Sequence, residues 1–114
     1  MTYSLTPAEA KGCAPDGQEM AAGLAARLSA LSHPARIEML MHLSASPSCC
    51  CRDVVERFDL AQSTVSQHLK ILVDAGLVRF APDRQRSRYE VDLDALADMS
   101  ASLTRLVERC CAGR

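Results

Sequence analysis

Apolar residues recur at three- and four-residue spacing from Glu19 onward, at Met20, Leu24, Leu28 and Leu31. That period is the stripe of an amphipathic helix. Ser32, His33 and Pro34 interrupt it, and Pro34 suits the first turn of a new helix, where its missing N–H has no partner to lose. Ile37, Leu40, Met41 and Leu43 predict that second helix, and the polar run from Ser44 to Ser48 ends it. Asp53 to Phe58 reads as a short third helix and Asp59 to Gln62 as a tight turn. A fourth helix follows from Gln62 or Ser63 to Ala75, with Val65, Leu69, Leu72 and Val73 inward and Gly76 as its stop. Beyond Gly76 the period changes. Leu77 to Phe80 and Ser87 to Val91 predict two strands, joined by a polar, Arg-bearing turn from Ala81 to Arg86. Leu93 to Cys111 is helical again, with Leu96, Met99, Leu103, Leu106 and Val107 on one side. Residues 1–18, which carry Pro7, Gly12, Pro15 and Gly17, are expected to form a mobile leader.

Two short helices joined by a tight turn, followed by a hairpin with arginines at its tip, make a winged helix-turn-helix. The predicted fold is mainly α with a small β-hairpin: about five helices plus a two-stranded wing, in one domain over residues 19–111. If Val65, Leu69 and Leu72 face the core, then Ser63, Thr64, Ser66, Gln67 and Lys70 lie on or beside the open face of the fourth helix. Glutamine can bond base edges, serine and threonine suit bases or phosphates, and lysine suits phosphate. Gln62 stands at the helix N-terminus, where a phosphate is favoured. Arg84, Arg86 and Arg88 would complete the contact from the wing.

Charge changes the picture in favour of DNA. The whole chain of 114 residues carries a net charge of −1, which excludes a uniformly basic nucleic-acid coat. Yet Gln62 to Arg88 holds five basic and two acidic residues, a local +3, and the remainder carries −4. A basic reading head sits on an acidic body. Aromatics make up 4% with no Trp, which argues against a base-stacking platform for single strands. No stretch approaches the ~20 apolar residues of a spanning helix, so the chain is expected to be cytoplasmic and free of membrane.

Three blocks, Leu31 to Ile37, Leu60 to Leu72 (with its Ser66-Gln67-His68-Leu69 core) and Ala75 to Val78, together resemble the ArsR/SmtB family of metal- and metalloid-responsive winged-helix repressors. The resemblance covers about residues 20 to 92. It implies a homodimer with the first and last helices at the interface, binding to double-stranded operator DNA with inverted-repeat symmetry, and release of that DNA when an inducer binds. In the resembling block His68 is read as a packing residue rather than a ligand, because no partner lies at helical spacing. His33 is read as a helix-start residue, and His42 has no evident partner in the sequence.

The six cysteines are Cys13, the run Cys49, Cys50 and Cys51, and the pair Cys110 and Cys111. Adjacent cysteines do not bridge one another without strain, and clustered thiols in a chain without a secretory pattern point to soft-ion binding or redox sensing. One ligand pattern of the family is a Cys-x-Cys pair ahead of Asp at the start of the third helix. Cys49 to Asp53 occupies that region, although Arg52 rather than a cysteine precedes Asp53. A second pattern, an Asp/His zinc site on the last helix, has no histidine available after Leu93. The expected inducer is therefore trivalent arsenic or antimony on thiolates from Cys49, Cys50, Cys51, Cys110 and Cys111, with no organic cofactor. A cadmium or lead sensor and a redox or persulfide sensor of the same fold are the alternatives. An enzyme is not expected: there is no phosphate-cradling Gly-rich loop, no nucleophile with an evident base and no Cys-x-x-Cys.

Overall fold

Helices α1 (Pro15–Ala30) and α2 (Pro34–Ala45) lead into a short strand β1 (Cys49–Cys50) and helices α3 (Cys51–Phe58) and α4 (Gln62–Asp74). Strands β2 (Val78–Pro82) and β3 (Ser87–Val91) and a long last helix α5 (Leu93–Ala112) complete the order. The structure is a computed structural model and describes residues 15–46, 49–82 and 87–113. The first helix starts at Pro15, four residues before the expected Glu19, because a proline at the first helical position loses no hydrogen bond. The rest of the leader, with Cys13, lies outside the described residues.

His33 caps α2: its Nδ1 accepts from the Ala35 backbone N–H at 3.1 Å, and Pro34 follows at the first helical position. The buried face of α2 is Met39, Leu40 and Leu43. The expected stripe also included Ile37 and Met41, but these are 43% and 59% exposed. They lie four residues apart on one edge of the helix, turned away from the stripe that Met39 and Leu43 set.

Regular structure extends through the cysteine run. Cys49 and Cys50 form a strand, with Cys49 opposite Tyr89 and Cys50 opposite Arg88, and Cys51 opens α3. The expected two-stranded wing is present, and β1 adds a third antiparallel strand at its edge in the order β1-β3-β2. The wing proper is as expected, with Phe80 opposite Tyr89 and their rings 5.3 Å apart.

Two backbone features fix the reading head. Asp59 ends α3 in the left-handed region (φ 50°), and its N–H returns to Val55 O. A short polar side chain tolerates that conformation better than most. Gly76 (φ 82°) ends α4: its N–H bonds Val73 O at 2.9 Å, and Leu77 N–H bonds Leu72 O at 3.1 Å. This pair of bonds, with Leu72 and Leu77 both fully buried, is the glycine-terminated helix cap that reverses the chain into a new direction. It aims β2 off the end of α4.

The fully buried centre of the core is Met39, Leu43, Val54, Val65, Leu69, Leu72, Leu77 and Val78, drawn from α2, α3, α4 and the base of β2, and Ala30, Val91 and Ala95 join it from α1, β3 and α5. Asp92 caps α5 by accepting from Ala95 N–H at 3.0 Å. The first and last helices pack together: Arg27 Nη1 donates to Ala95 O at 3.3 Å, and Arg105 Nε approaches Met20 Sδ at 3.4 Å. Among the described residues no helix is long and apolar enough to cross a membrane.

Candidate nucleic-acid interface

Helix α4 turns Val65, His68, Leu69 and Leu72 inward, as its period requires. Gln62, Ser63, Ser66, Gln67 and Lys70 are exposed on the opposite side, and Thr64 is half-buried beside them. The helix begins after Ala61, which offers no side-chain cap, and its first turn contains no acidic residue. Its leading N–H groups therefore keep their hydrogen-bonding capacity and the positive end of the helix dipole for an external anion. Lys70 Nζ holds Asp74 at 2.9 Å in a solvent-exposed pair. Such a pair is worth ~0–1 kcal/mol, so the ammonium can be redirected to a phosphate at small cost.

On the wing, Arg88 is exposed in β3, with Cys50 opposite it on one side and Ala81 on the other. Arg79 reaches Glu90 across the ladder at 3.8 Å. Arg84 and Arg86 lie outside the described residues.

His68, read from the sequence as a packing residue, is buried at 9% exposure and bonded from behind. Arg36 Nη1 lies 3.3 Å from its Nδ1, and the His33 ring centroid lies 4.7 Å from its own. A guanidinium only donates, so Nδ1 must accept and the ring is neutral with its proton on Nε2. Burial lowers the His68 pKa, and the neighbouring His33 and Arg36 lower it further. Arg36 also donates through Nε to Ala30 O at 2.7 Å, which ties the α1–α2 junction to the back of the reading helix. This latch was missed in the sequence because His68 lies 32 residues from Arg36, and only the Ser-His-Pro signal at the start of α2 pointed to His33. His42 proves to stand edge-on to Phe58, with ring centroids 5.7 Å apart.

The candidate thiols divide by position. Cys50 is buried: its Sγ donates to Asp53 Oδ2 at 3.2 Å, and its backbone N–H reaches the same oxygen at 3.3 Å. Cys51 is half-buried, and its Sγ lies 3.6 Å from Ser66 Oγ on α4. It also faces Tyr89, whose phenol pKa is raised first by burial and then by the Cys51 charge. Cys49 is placed by its strand alone. Cys110 and Cys111 are exposed near the end of α5. Cys51, Cys110 and Cys111 are free thiols. Among the described residues no three His, Cys, Asp or Glu side chains are already arranged to hold a metal ion.

Comparison with known proteins agrees with this geometry. The family model described as "Bacterial regulatory protein, arsR family" matches residues 33–79, which run from the cap of α2 into β2. The HTH-type transcriptional regulator YgaV of Escherichia coli is 36% identical over 86 residues, covering 75% of this chain and 87% of that protein. An arsenical resistance operon repressor of Staphylococcus xylosus is 36% identical over 76 residues, covering 67% of this chain and 72% of that one. The solved structure of an ArsR-like transcriptional regulator from Rhodococcus sp. RHA1 shares the fold with a TM-score of 0.73 at 24% identity, over 83% of this chain and 92% of that one.

Proposed function

This chain belongs to the arsR family of bacterial regulatory proteins, DNA-binding transcription regulators and not enzymes, and from that premise we propose that it is a homodimeric, cytoplasmic repressor. It holds an inverted-repeat operator and releases it when trivalent arsenic or antimony binds its clustered thiols. The observation that carries the proposal is the position of the cysteine run. Cys49 and Cys50 are hydrogen-bonded into the wing sheet against Tyr89 and Arg88, and Cys51 begins the helix that packs beneath α4. A change at these thiols falls on the framework of both DNA-reading elements at once.

The donor chemistry fits the ion. Trivalent arsenic and antimony prefer about three thiolates, and soft sulfur ligands select soft ions over those that favour imidazole or carboxylate. Cys50 and Cys51 would supply two sulfurs, and Cys49, Cys110 and Cys111 are the candidates for the third. Such an ion supplies covalent-strength bonds to sulfur. For Cys50 this means giving up its thiol proton and with it the hydrogen bond to Asp53. The relative named as an arsenical resistance operon repressor supports the choice of element.

The dimer is supported by apolar surface. Leu28 on α1 and Leu103, Leu106 and Val107 on α5 are 41%, 41%, 43% and 53% exposed in the single chain. Burying them against a second copy would set two α4 helices at the spacing of successive major grooves. Gln62, Ser63, Thr64, Ser66, Gln67 and Lys70 then read the half-site, with Arg84, Arg86 and Arg88 contacting from the wing.

The test is a release panel: the reduced protein on a duplex carrying the promoter beside its own gene, challenged with arsenite, antimonite, cadmium, lead, zinc, copper(I), peroxide and persulfide. Arsenite and antimonite are expected to free the DNA at the lowest concentrations. No retardation at low salt would remove the regulator reading for this duplex, and release by persulfide or peroxide alone would replace the metalloid with a redox signal.

A further inference from the structure

Cys50 and Cys51 are neighbours in the chain but have opposite surroundings. Cys50 points inward and is held by Asp53. Cys51 points along the seam between α3 and α4 and meets Ser66, fifteen residues away, at 3.6 Å. Ser66 lies on the reading face of α4, one helical turn from Ser63 on one side and from Lys70 on the other. A sulfur and an oxygen at 3.6 Å are near van der Waals contact, so no further atom fits between them.

We propose that Cys51 and Ser66 form the relay through which the chemical state of the cysteine run reaches the recognition helix. The inference rests on the thiol-sensing reading above and names the contact that would transmit the signal. Two physical steps make the relay. While Cys51 is a thiol, either group can donate in the S···O contact. Once its sulfur is ligated or alkylated it has no proton, can only accept, and turns the Ser66 hydroxyl toward itself and away from the groove. Any group bonded to Sγ also adds bulk directly beside Ser66, its neighbour at 3.6 Å. Tyr89 ties the same run to the wing, since it pairs with Cys49 across the sheet and its ring centroid lies 5.3 Å from that of Phe80.

Linkage makes the relay reciprocal: if ligating Cys51 disfavours DNA, then DNA disfavours reaction at Cys51. The experiment is alkylation of the full-length reduced protein by N-ethylmaleimide, with each cysteine followed by peptide mass spectrometry. It is run alone and with saturating operator duplex, in wild type, Ser66→Ala and Ser66→Thr. Operator is expected to slow alkylation of Cys51 at least fivefold in wild type and in Ser66→Thr, which keeps the hydroxyl. In Ser66→Ala the slowing is expected to fall below twofold, and Cys110 and Cys111 should change less than twofold throughout. Equal protection in Ser66→Ala and wild type would mean that DNA merely shields the thiol, and would overturn the relay. A parallel arsenite challenge separates the two ideas. Arsenite that leaves the wild-type complex intact while the protection pattern holds removes the metalloid reading and leaves the relay standing.

Discussion

Replacing Gly76 tests how the reading helix is joined to the wing. The residue sits at φ 82°, and a Cβ built there meets no atom within 4 Å. Steric overlap therefore contributes nothing, and the cost of Gly76→Ala is the backbone cost alone. The left-handed conformation costs an L-residue ~1–2 kcal/mol. Removing glycine's extra freedom in the unfolded chain returns ~0.4–1 kcal/mol. The net expectation is a loss of about 1 kcal/mol. With a urea dependence of ~1–3 kcal/mol per molar, the unfolding midpoint should fall by about half a molar. Gly76→Asn should lose less than half as much, because asparagine tolerates this region, and Gly76→Val should lose more than alanine. The assay is urea unfolding followed by circular dichroism at one fixed protomer concentration, since association adds to apparent stability. An alanine variant as stable as wild type would refute the reasoning. So would a loss above ~3 kcal/mol, which would require a clash that the open space around Gly76 excludes.

Acid should weaken the Arg36–His68 latch. The His68 pKa is lowered in the folded chain by burial, His33 and Arg36, so the unfolded chain binds the proton more readily. Stability is then intact above the ordinary histidine value of about 6.5 and falls as pH drops from there through the lowered folded value. His68→Gln, which keeps an acceptor for Arg36 but cannot titrate, should flatten that part of the stability–pH curve; an unchanged slope would assign it to other groups. Lys70→Ala should weaken operator and non-operator DNA alike and, through one lost phosphate contact per protomer, flatten the salt dependence by about 1.8 in the log–log slope of the dimer; an unchanged slope would place Lys70 off the backbone. Leu106→Glu should sediment as a monomer and lose operator binding, because it puts a charge into the proposed α1–α5 interface; a persistent dimer would locate the interface elsewhere.

Helix order, the glycine stop and the wing were readable from the sequence because each rests on local chemistry. The period of Val65, Leu69 and Leu72 is set within one helix, and Gly76 answers to its own backbone angle. The reading face followed from the same period, and five of its six helical residues are exposed, with Thr64 half-buried. What local pattern does not carry is pairing across the chain. Strand β1 exists because β3 offers an edge to Cys49 and Cys50, which lie 40 and 38 residues from their partners Tyr89 and Arg88. No period marks a two-residue strand. The α2 stripe was misassigned at Ile37 and Met41 because every apolar residue in that helix matched a helical spacing, and only tertiary packing chose Met39 instead. The thiols were visible as a group, but their division into an anchored Cys50 and a seam-facing Cys51 depends on Asp53 and Ser66.

The most direct test is an arsenite titration of the complex between reduced protein and a fluorescently labelled operator duplex, followed by anisotropy. It is run on wild type and on a variant with Cys49, Cys50, Cys51, Cys110 and Cys111 all changed to serine. Anisotropy should return to the free-DNA value in wild type and stay at the bound value in the variant. Release from both proteins, or from neither, would contradict the account.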